Sequence, residues 1–408
     1  MWLQYTRYAG VHRLGMYAFL KYVLLPVVFG PLFRYRVTGR GRVPKTGPVL
    51  ILPNHTSALD PWWVGYHAQR PAWYMASSQL FRMKALGWFI SLQGAFPKQK
   101  FVRDQAAIDK VHELIAHDQV VVLFPEGSRT FDGRNEHVRA GIGGFIRELG
   151  YPTVVFCRIQ SGHLWRPRWA KRARWLPLHL EYSEPFDFSG LHDDQIVEVV
   201  REQIRIDGDR FVEEGFDAPV WGRRIADGLD AYVWACPHCL ESERFGVTAD
   251  GSGVACGGCG ADWELKLTNE LVPRGGPAGP LTVSQAFDRL QARYGTPPVF
   301  DRAEFERMGT VLSGQGRVGR VGDTTETELV AEGLVRLTPE ALAVFDGDDE
   351  IWRLPLAELR AASLEIGNIL QLRRLSGELF QLDPLDRSTL VWAHFITPWN
   401  RKARGKPI

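Results

Sequence analysis

Three short apolar runs restrict the folds open to this chain more than any other feature. TGPVLILP (46–53), QVVVLFP (119–125) and PTVVFCRI (152–159) are unbroken and bounded by Gly, Pro or charged residues. A run of this length without polar alternation reads as a strand buried on both faces. The stretches between them have helical character. DPWWVGYHAQ opens with Asp60, suited to an N-cap, and Pro61, suited to the first turn. AAIDKVHELIAHD (106–118) sets Ile108, Val111, Leu114 and Ile115 along one face, and GIGGFIRELG ends at Gly150. Strand and helix alternate, so the predicted scaffold is an α/β sheet flanked by helices, with reactive groups on loops at the strand ends. Cys157 falls inside the third run and reads as a core residue.

With 408 residues, 45% of them hydrophobic, the chain can form two or three domains. A net charge of +2 excludes a broadly nucleic-acid-binding surface and leaves room only for local basic patches. One such patch is HLWRPRWAKRARWLPLHL (163–180), where Trp165, Trp169 and Trp175 mix with Arg166, Arg168, Lys171, Arg172 and Arg174. The mixture suits an anionic membrane surface or nucleic acid, and a solvated loop is the plain alternative. Near the start, GMYAFLKYVLLPVVFGPLF (15–33) is apolar but interrupted by Lys21, Pro26, Gly30 and Pro31. No small-residue cleavage site follows it, so a removable signal peptide is not expected. Arg7, Arg13 and Lys21, with Trp2, Tyr5, Tyr8, Tyr17 and Tyr22, read as interfacial anchors of a segment lying in one leaflet. A helix packed on the protein's own core is the alternative.

Beyond about residue 215 the character changes. Cys236 and Cys239 (CPHC) and Cys256 and Cys259 (CGGC) form two C-x-x-C pairs sixteen residues apart. Four thiolates so spaced predict one structural Zn²⁺ in a zinc ribbon, with His238 a turn residue and no coordination position left open. NELVPRGGPAGP (269–280) reads as a linker, and VSQAFDRLQARYG and DRAEFERMG as short amphipathic helices. GQGRVG (314–319) matches G-x-G-x-x-G by letter, but follows no predicted strand and opens no predicted helix, and reads as a flexible loop. Short strands follow from about 318, then a closing helix, RSTLVWAHFITPW. The predicted organisation is a membrane-interface segment (1–35), an α/β domain (36–215), a zinc ribbon (216–270), a linker with short helices (271–317) and a β-rich domain with a C-terminal helix (318–408).

Four stretches offer chemistry. Asn54-His55 stands where the first strand ends, with Asp60 five positions beyond the histidine. FPEGSRT (124–130) follows the second strand and supplies Glu126, Gly127, Ser128 and Arg129, a carboxylate, a permissive glycine, a hydroxyl and a guanidinium suited to phosphate. GAFPKQK (94–100) puts Lys98 and Lys100 on a turn, and PTVV opens the third strand. In this order and spacing they resemble the glycerolipid acyltransferase family, whose members acylate lysophosphatidic acid or glycerol 3-phosphate. The family's Asn-His-x4-Asp motif is matched by Asn54, His55 and Asp60, and its Phe-Pro-Glu-Gly-Thr/Ser-Arg motif by Phe124 to Arg129. Lys100 stands where the second motif often ends in arginine, Val155 where the fourth commonly has a proline, and Arg139 before Gly141 where a lysine is usual.

The resemblance covers roughly residues 40–190. It implies a membrane-associated O-acyltransferase on the cytoplasmic face, moving a fatty acyl group from acyl-CoA or an acyl-carrier protein to a lysophospholipid-like hydroxyl. His55 would deprotonate that hydroxyl, near neutral pH given an ordinary imidazole pKa of about 6.5. Asp60 would fix its tautomer; Glu126, Gly127 and Ser128 would position the acceptor, and Arg129 with Lys98 or Lys100 would hold its phosphate. The last ninety residues resemble pleckstrin-homology-like (GRAM-type) modules, and a small β-domain packed on the ribbon is the alternative. The ribbon would be a docking point for a protein partner. The rival readings of the whole chain are a lipid-binding adaptor that uses the acyltransferase shell without catalysis, and nucleic-acid binding, disfavoured by the acidic residues around the ribbon (Glu241, Glu243, Asp250, Asp262, Glu264).

Overall fold

Val49–Pro53 (β2) is buried at all five positions and sits at the centre of a seven-stranded sheet. This computed structural model describes residues 11–31, 33–99, 103–216, 221–242, 244–294, 312–322, 327–364, 369–385 and 388–405. Arg7, Trp2, Tyr5, Tyr8, Lys100 and the predicted helix DRAEFERMG lie outside the described residues. The chain divides into two units, Met1–Arg223 with Leu267–Asn269, and Arg224–Lys266 with Glu270–Ile408.

In the first unit the sheet comprises β1 (Arg36–Thr38), β2, β3 (Ala72–Ser77), β4 (Ala95–Lys98), β5 (Val120–Val122), β6 (Thr153–Ile159) and β7 (His179–Tyr182), in the order β1-β7-β6-β2-β5-β3-β4. Strands β6, β2, β5, β3 and β4 are parallel, whereas β7 runs antiparallel to β6. All five parallel strands therefore end on one edge, and β2 lies between β5 and β6 there.

The continuous apolar runs follow from this placement. Leu50 and Leu52 face one core with Val121, Val154 and Phe156, and Val49 and Ile51 face a second core with Val122, Val155 and Cys157. With both faces covered there is no place for polar alternation, and each fully buried aliphatic side chain contributes about 1.5–3 kcal/mol.

Helices α2 (Asp60–His67), α3 (Lys84–Leu92), α4 (Gln105–Ala116), α5 (Gly141–Glu148) and α6 (Asp193–Gln203) follow the apolar spacing of their sequences. Asp60 is the first residue of α2 rather than its N-cap, a position held by Leu59. Its carboxylate turns back onto the preceding loop.

The N-terminal segment, α1 (Val11–Phe19) continuing as a π-helix over Leu20–Phe29, packs on this unit. Two residues predicted as interfacial anchors are instead buried. The Tyr17 hydroxyl donates to the carbonyls of Gly65 and Arg70, and Lys21 donates to that of Ala68. Burial, reinforced by Arg40, holds the Lys21 ammonium down at about 8. Phe19, Tyr22, Val23 and Val27 on the same segment are exposed, Val27 by 69%. Among the described residues no helix is long and apolar enough to cross a membrane.

The tryptophan- and arginine-rich stretch is not a wholly solvent-facing patch. Trp169 and Arg174 are buried, and the Arg174 guanidinium donates to the Leu267 carbonyl and to Asn269 Oδ1 while lying 5.3 Å from the Trp169 ring centroid. Arg166, Lys171 and Arg172 remain exposed.

In the second unit, β8 (Phe245–Val247), β9 (Gly253–Cys256), β10 (Asp262–Leu265), β11 (Glu270–Gly275) and β12 (Leu281–Thr282) form an antiparallel sheet. Much of the predicted linker is thus strand. Leu271 is buried opposite Leu265, and the turn-forming Gly276 follows β11. Helix α7 (Val283–Tyr294) comes next.

A second antiparallel sheet has seven strands, β13 (Leu312–Val321), β14 (Thr327–Leu337), β15 (Ala341–Asp346), β16 (Asp349–Pro355), β17 (Leu359–Leu364), β18 (Leu370–Arg374) and β19 (Leu379–Pro384), in the order β16-β15-β14-β13-β19-β18-β17. Helix α8 (Thr389–Ala403) packs Trp392, Phe395, Ile396 and Trp399 onto its core. GQGRVG lies inside β13, not in a loop. Its glycines answer to close packing, since a Cβ on Gly316 would sit 2.9 Å from Val335 and one on Gly319 3.2 Å from the Glu328 carbonyl, beside a register shift at Val318/Gly319.

Helices α5 and α6 touch through Gly143, where an added Cβ would lie 2.2 Å from the Asp193 carbonyl oxygen. Gly143→Ala is expected to destabilise the first unit by about 1–3 kcal/mol, read as a lower urea midpoint with an unchanged m-value.

Candidate active site

The polar loops that follow β2, β5 and β6 are neighbours because those strands are adjacent and parallel. Asn54 joins the first to the third. Its Nδ2 donates to the Ile159 carbonyl at 3.1 Å and its Oδ1 accepts from the Ile159 N–H at 2.7 Å. The side chain continues the β2–β6 ladder where the backbone leaves it, and so fixes where His55 begins. On the other side the Thr130 N–H donates to the His55 carbonyl at 2.9 Å, closing the loop after β5 around the histidine.

His55 is 20% exposed and Asp60 fully buried. His55 Nδ1 lies 2.8 Å from Asp60 Oδ2. The same carboxylate accepts from the N–H groups of Thr56 (2.5 Å) and Ser57 (2.8 Å) and from the Thr56 hydroxyl (2.9 Å). A carboxylate surrounded by donors is an acceptor, so Nδ1 carries the proton and Nε2 is the basic nitrogen. The imidazole also lies against Phe124, with ring centroids 4.1 Å apart. The five-residue spacing works because Asp60 opens a helix whose N-terminal turn faces back over the loop.

Glu126 is only 1% exposed, and its oxygens are engaged with protein donors. Oε1 accepts from the His55 N–H (3.0 Å) and Asn135 Nδ2 (3.2 Å), and Oε2 accepts from the Glu136 N–H (2.7 Å). Instead of facing an acceptor, as the sequence reading has it, this carboxyl holds the backbone of His55. Burial pushes it up to about 8 against the pull of those donors, and burial also raises the Glu136 carboxyl. Gly127 adopts φ 68°, and an added Cβ would approach the Arg139 guanidinium at 3.3 Å, so glycine suits this turn on both counts.

Ser128 and Arg129 are half-buried on the same loop. Arg168, from the segment after β6, donates from Nη1 to Ser128 Oγ at 2.8 Å and to the Arg129 carbonyl at 3.2 Å, with its guanidinium carbon 4.3 Å from the Phe131 ring centroid. Lys98 ends β4, three strand spacings from β2, or roughly 14 Å across the sheet. The structure thus brings His55, Asp60, Glu126, Gly127, Ser128 and Arg129 together and sets Lys98 apart on the same edge. Sequence reading missed Asn135 and the position of Arg168. Asn135 has no sequence signal; Arg168 was legible only as one arginine among five basic residues.

In the second unit the thiols of Cys236, Cys239, Cys256 and Cys259 all lie within 4.8 Å of one another, with Cys236–Cys259 and Cys239–Cys256 at 3.7 Å. A tetrahedral ion with bonds of about 2.3 Å sets its sulfurs about 3.8 Å apart, so the four residues fit such an ion.

A family model described as Acyltransferase matches residues 34–158. The chain is similar to a 1-acyl-sn-glycerol-3-phosphate acyltransferase of Chlamydomonas reinhardtii, 26% identical over 137 residues, which cover 33% of this chain and 41% of that protein. It is also similar to one of Streptococcus pneumoniae, 25% identical over 171 residues, covering 41% of this chain and 61% of that protein. The chain therefore spans under half the length of the first and three fifths of the second. Among solved structures, the 1-acyl-sn-glycerophosphate acyltransferase PlsC of Thermotoga maritima overlaps 45% of this chain and 72% of its own, at 23% identity and a TM-score of 0.36, too loose a likeness to carry weight.

The Glu126 carboxyl gives a test of this geometry. It lies well above its ordinary 4.5 in the folded chain, so the native state holds a proton that the unfolded state loses. Its contribution to stability is fully present below about pH 4.5 and falls as pH rises towards 8. Urea unfolding at pH 6 and pH 8 is expected to give a lower midpoint at pH 8, with the difference reduced in Glu126→Gln.

Proposed function

We propose that this protein, whose residues 34–158 match the Acyltransferase family model, is an O-acyltransferase that moves a fatty acyl group from a thioester donor, acyl-CoA or an acyl-carrier protein, to the hydroxyl of a lysophosphatidic-acid-like acceptor. The observation that carries the reading is the His55–Asp60 pair at the C-terminal end of the central strand, with Nε2 as the basic nitrogen. The thioester is already activated, so the chemical demand is removal of the acceptor's proton as its oxygen attacks. His55 Nε2 takes that proton, and Asp60 stabilises the imidazolium through Nδ1–H. The tetrahedral intermediate then collapses, expelling the thiolate, which takes the proton from His55. Glu126 holds the His55 backbone in place for both steps, and Ser128 and Arg129 face the acceptor.

Association with the cytoplasmic face of a membrane belongs to the same proposal. It is supported by the exposed Phe19, Tyr22, Val23 and Val27 on a segment pinned to the catalytic unit, and by the exposed Met83 and Trp88 at the start of α3 and within it. The four cysteines hold a structural Zn²⁺, and the ribbon and pleckstrin-homology-like sheet serve partner docking or lipid sensing.

Thiol release from long-chain acyl-CoA, or from an acyl-carrier donor, in the presence of lysophosphatidic acid tests the reaction. Turnover is expected in the wild type, with a loss of about 10²–10⁴-fold in His55→Ala protein that circular dichroism shows to be folded. Absence of turnover with either donor in folded, metal-loaded protein would instead favour a lipid-binding adaptor. Metal analysis is expected to find one zinc per chain, and chelation or Cys256→Ser to unfold the ribbon, seen as lost near-ultraviolet signal.

A further inference from the structure

The loop after β5 collects positive charge from three separate segments. Arg129 lies on the loop itself, Arg139 approaches it at Gly127 from the lead into α5, and Arg168 reaches it from the segment after β6. Acidic groups are also close. Asp132 pairs with Arg134 at 2.5 Å, and Glu126 is buried among protein donors, while the half-buried Glu136 lies near Arg139 and Arg168.

Arg168 is held in one orientation. Its Nη1 bridges Ser128 Oγ and the Arg129 carbonyl, its face covers Phe131, and its chain neighbour Trp169 is buried. As an acceptor towards Arg168, the Ser128 hydroxyl keeps its own hydrogen to donate. Lys98, predicted to supply phosphate charge, ends a strand that lies across the sheet.

We propose that Arg168 is a specificity-determining residue of the acceptor site, where with Ser128 and Arg129 it holds a phosphomonoester beside His55. The proposal rests on the acyl-transfer reading for the identity of the acceptor, but not for the phosphate contact. A planar guanidinium already fixed by an aromatic face and two oxygens loses little further freedom on meeting a phosphate dianion, and it offers the geometry that an ammonium lacks.

The test uses the full chain with Arg168→Ala and Arg168→Lys. Binding of glycerol 3-phosphate is measured by titration calorimetry, with inorganic phosphate in a parallel arm. KM and kcat are then compared for lysophosphatidic acid and for a monoacylglycerol without phosphate. In Arg168→Ala, glycerol 3-phosphate binding is expected to weaken, and KM for lysophosphatidic acid to rise, by about tenfold or more. Under the same change kcat stays within about threefold, the monoacylglycerol reaction is unaffected, and Arg168→Lys recovers part of the loss. Loss of inorganic phosphate binding as well would mean that the anion alone is read; loss confined to glycerol 3-phosphate would mean that the ester is read with it.

Equal losses with both acceptors would overturn the proposal, by making Arg168 a prop for the loop. So would unchanged glycerol 3-phosphate binding in the variant, or no binding in the wild type. Binding that depends on Arg168, in a wild type that turns over neither acceptor, would keep the phosphate site and sink the acyl-transfer reading.

Discussion

A fully buried carboxylate organises the first unit's polar edge. Asp60 is held by the ring nitrogen of His55, two backbone N–H groups and a hydroxyl, all within six residues of chain. A buried charge without such partners costs several kcal/mol, so the loop from His55 to Ser57 is constrained to wrap around it. The wrapping turns the imidazole outward from a strand whose other side chains are all inside. It also sets which nitrogen holds the proton. Fold and chemistry are therefore joined at one side chain.

Glu126 uses similar donors to a different end. It takes the backbone N–H of His55 from the far side, and Asn135 and Glu136 hold its remaining lone pairs. Asn54 completes the frame by pairing with Ile159 in β6. His55 is thus supported from both neighbouring strands, which explains why conserving only the histidine and aspartate types would not reproduce the site. Of the two buried carboxyls, one touches the His55 ring and the other its backbone.

The second unit rests on a different constraint. Its first sheet is short, with strands of two to six residues, and small sheets of this kind bury little apolar surface. Its four gathered thiols have the spacing at which a tetrahedral ion would crosslink them. The larger sheet needs none, because α8 covers its apolar face with Trp392, Phe395, Ile396 and Trp399.

Local sequence determined the α/β scaffold, since a strand buried on both faces has to be apolar throughout and helices have to alternate with such strands. It also determined the pairing of His55 with Asp60 and the two cysteine knuckles, because each is made within a few residues. Tertiary structure decided the rest. GQGRVG and much of NELVPRGGPAGP became strands, as sheet neighbours rather than intrinsic propensity select the conformation of glycine-rich segments. Tyr17 and Lys21 turned inward because carbonyls at the end of α2 and just beyond it accept their donors. Glu126 became a clamp, and Arg168, one basic residue among several in its segment, came to stand at the candidate site. Strand order alone made that possible, by placing β6 next to β2, and strand order is a long-range property that no local pattern of residues encodes.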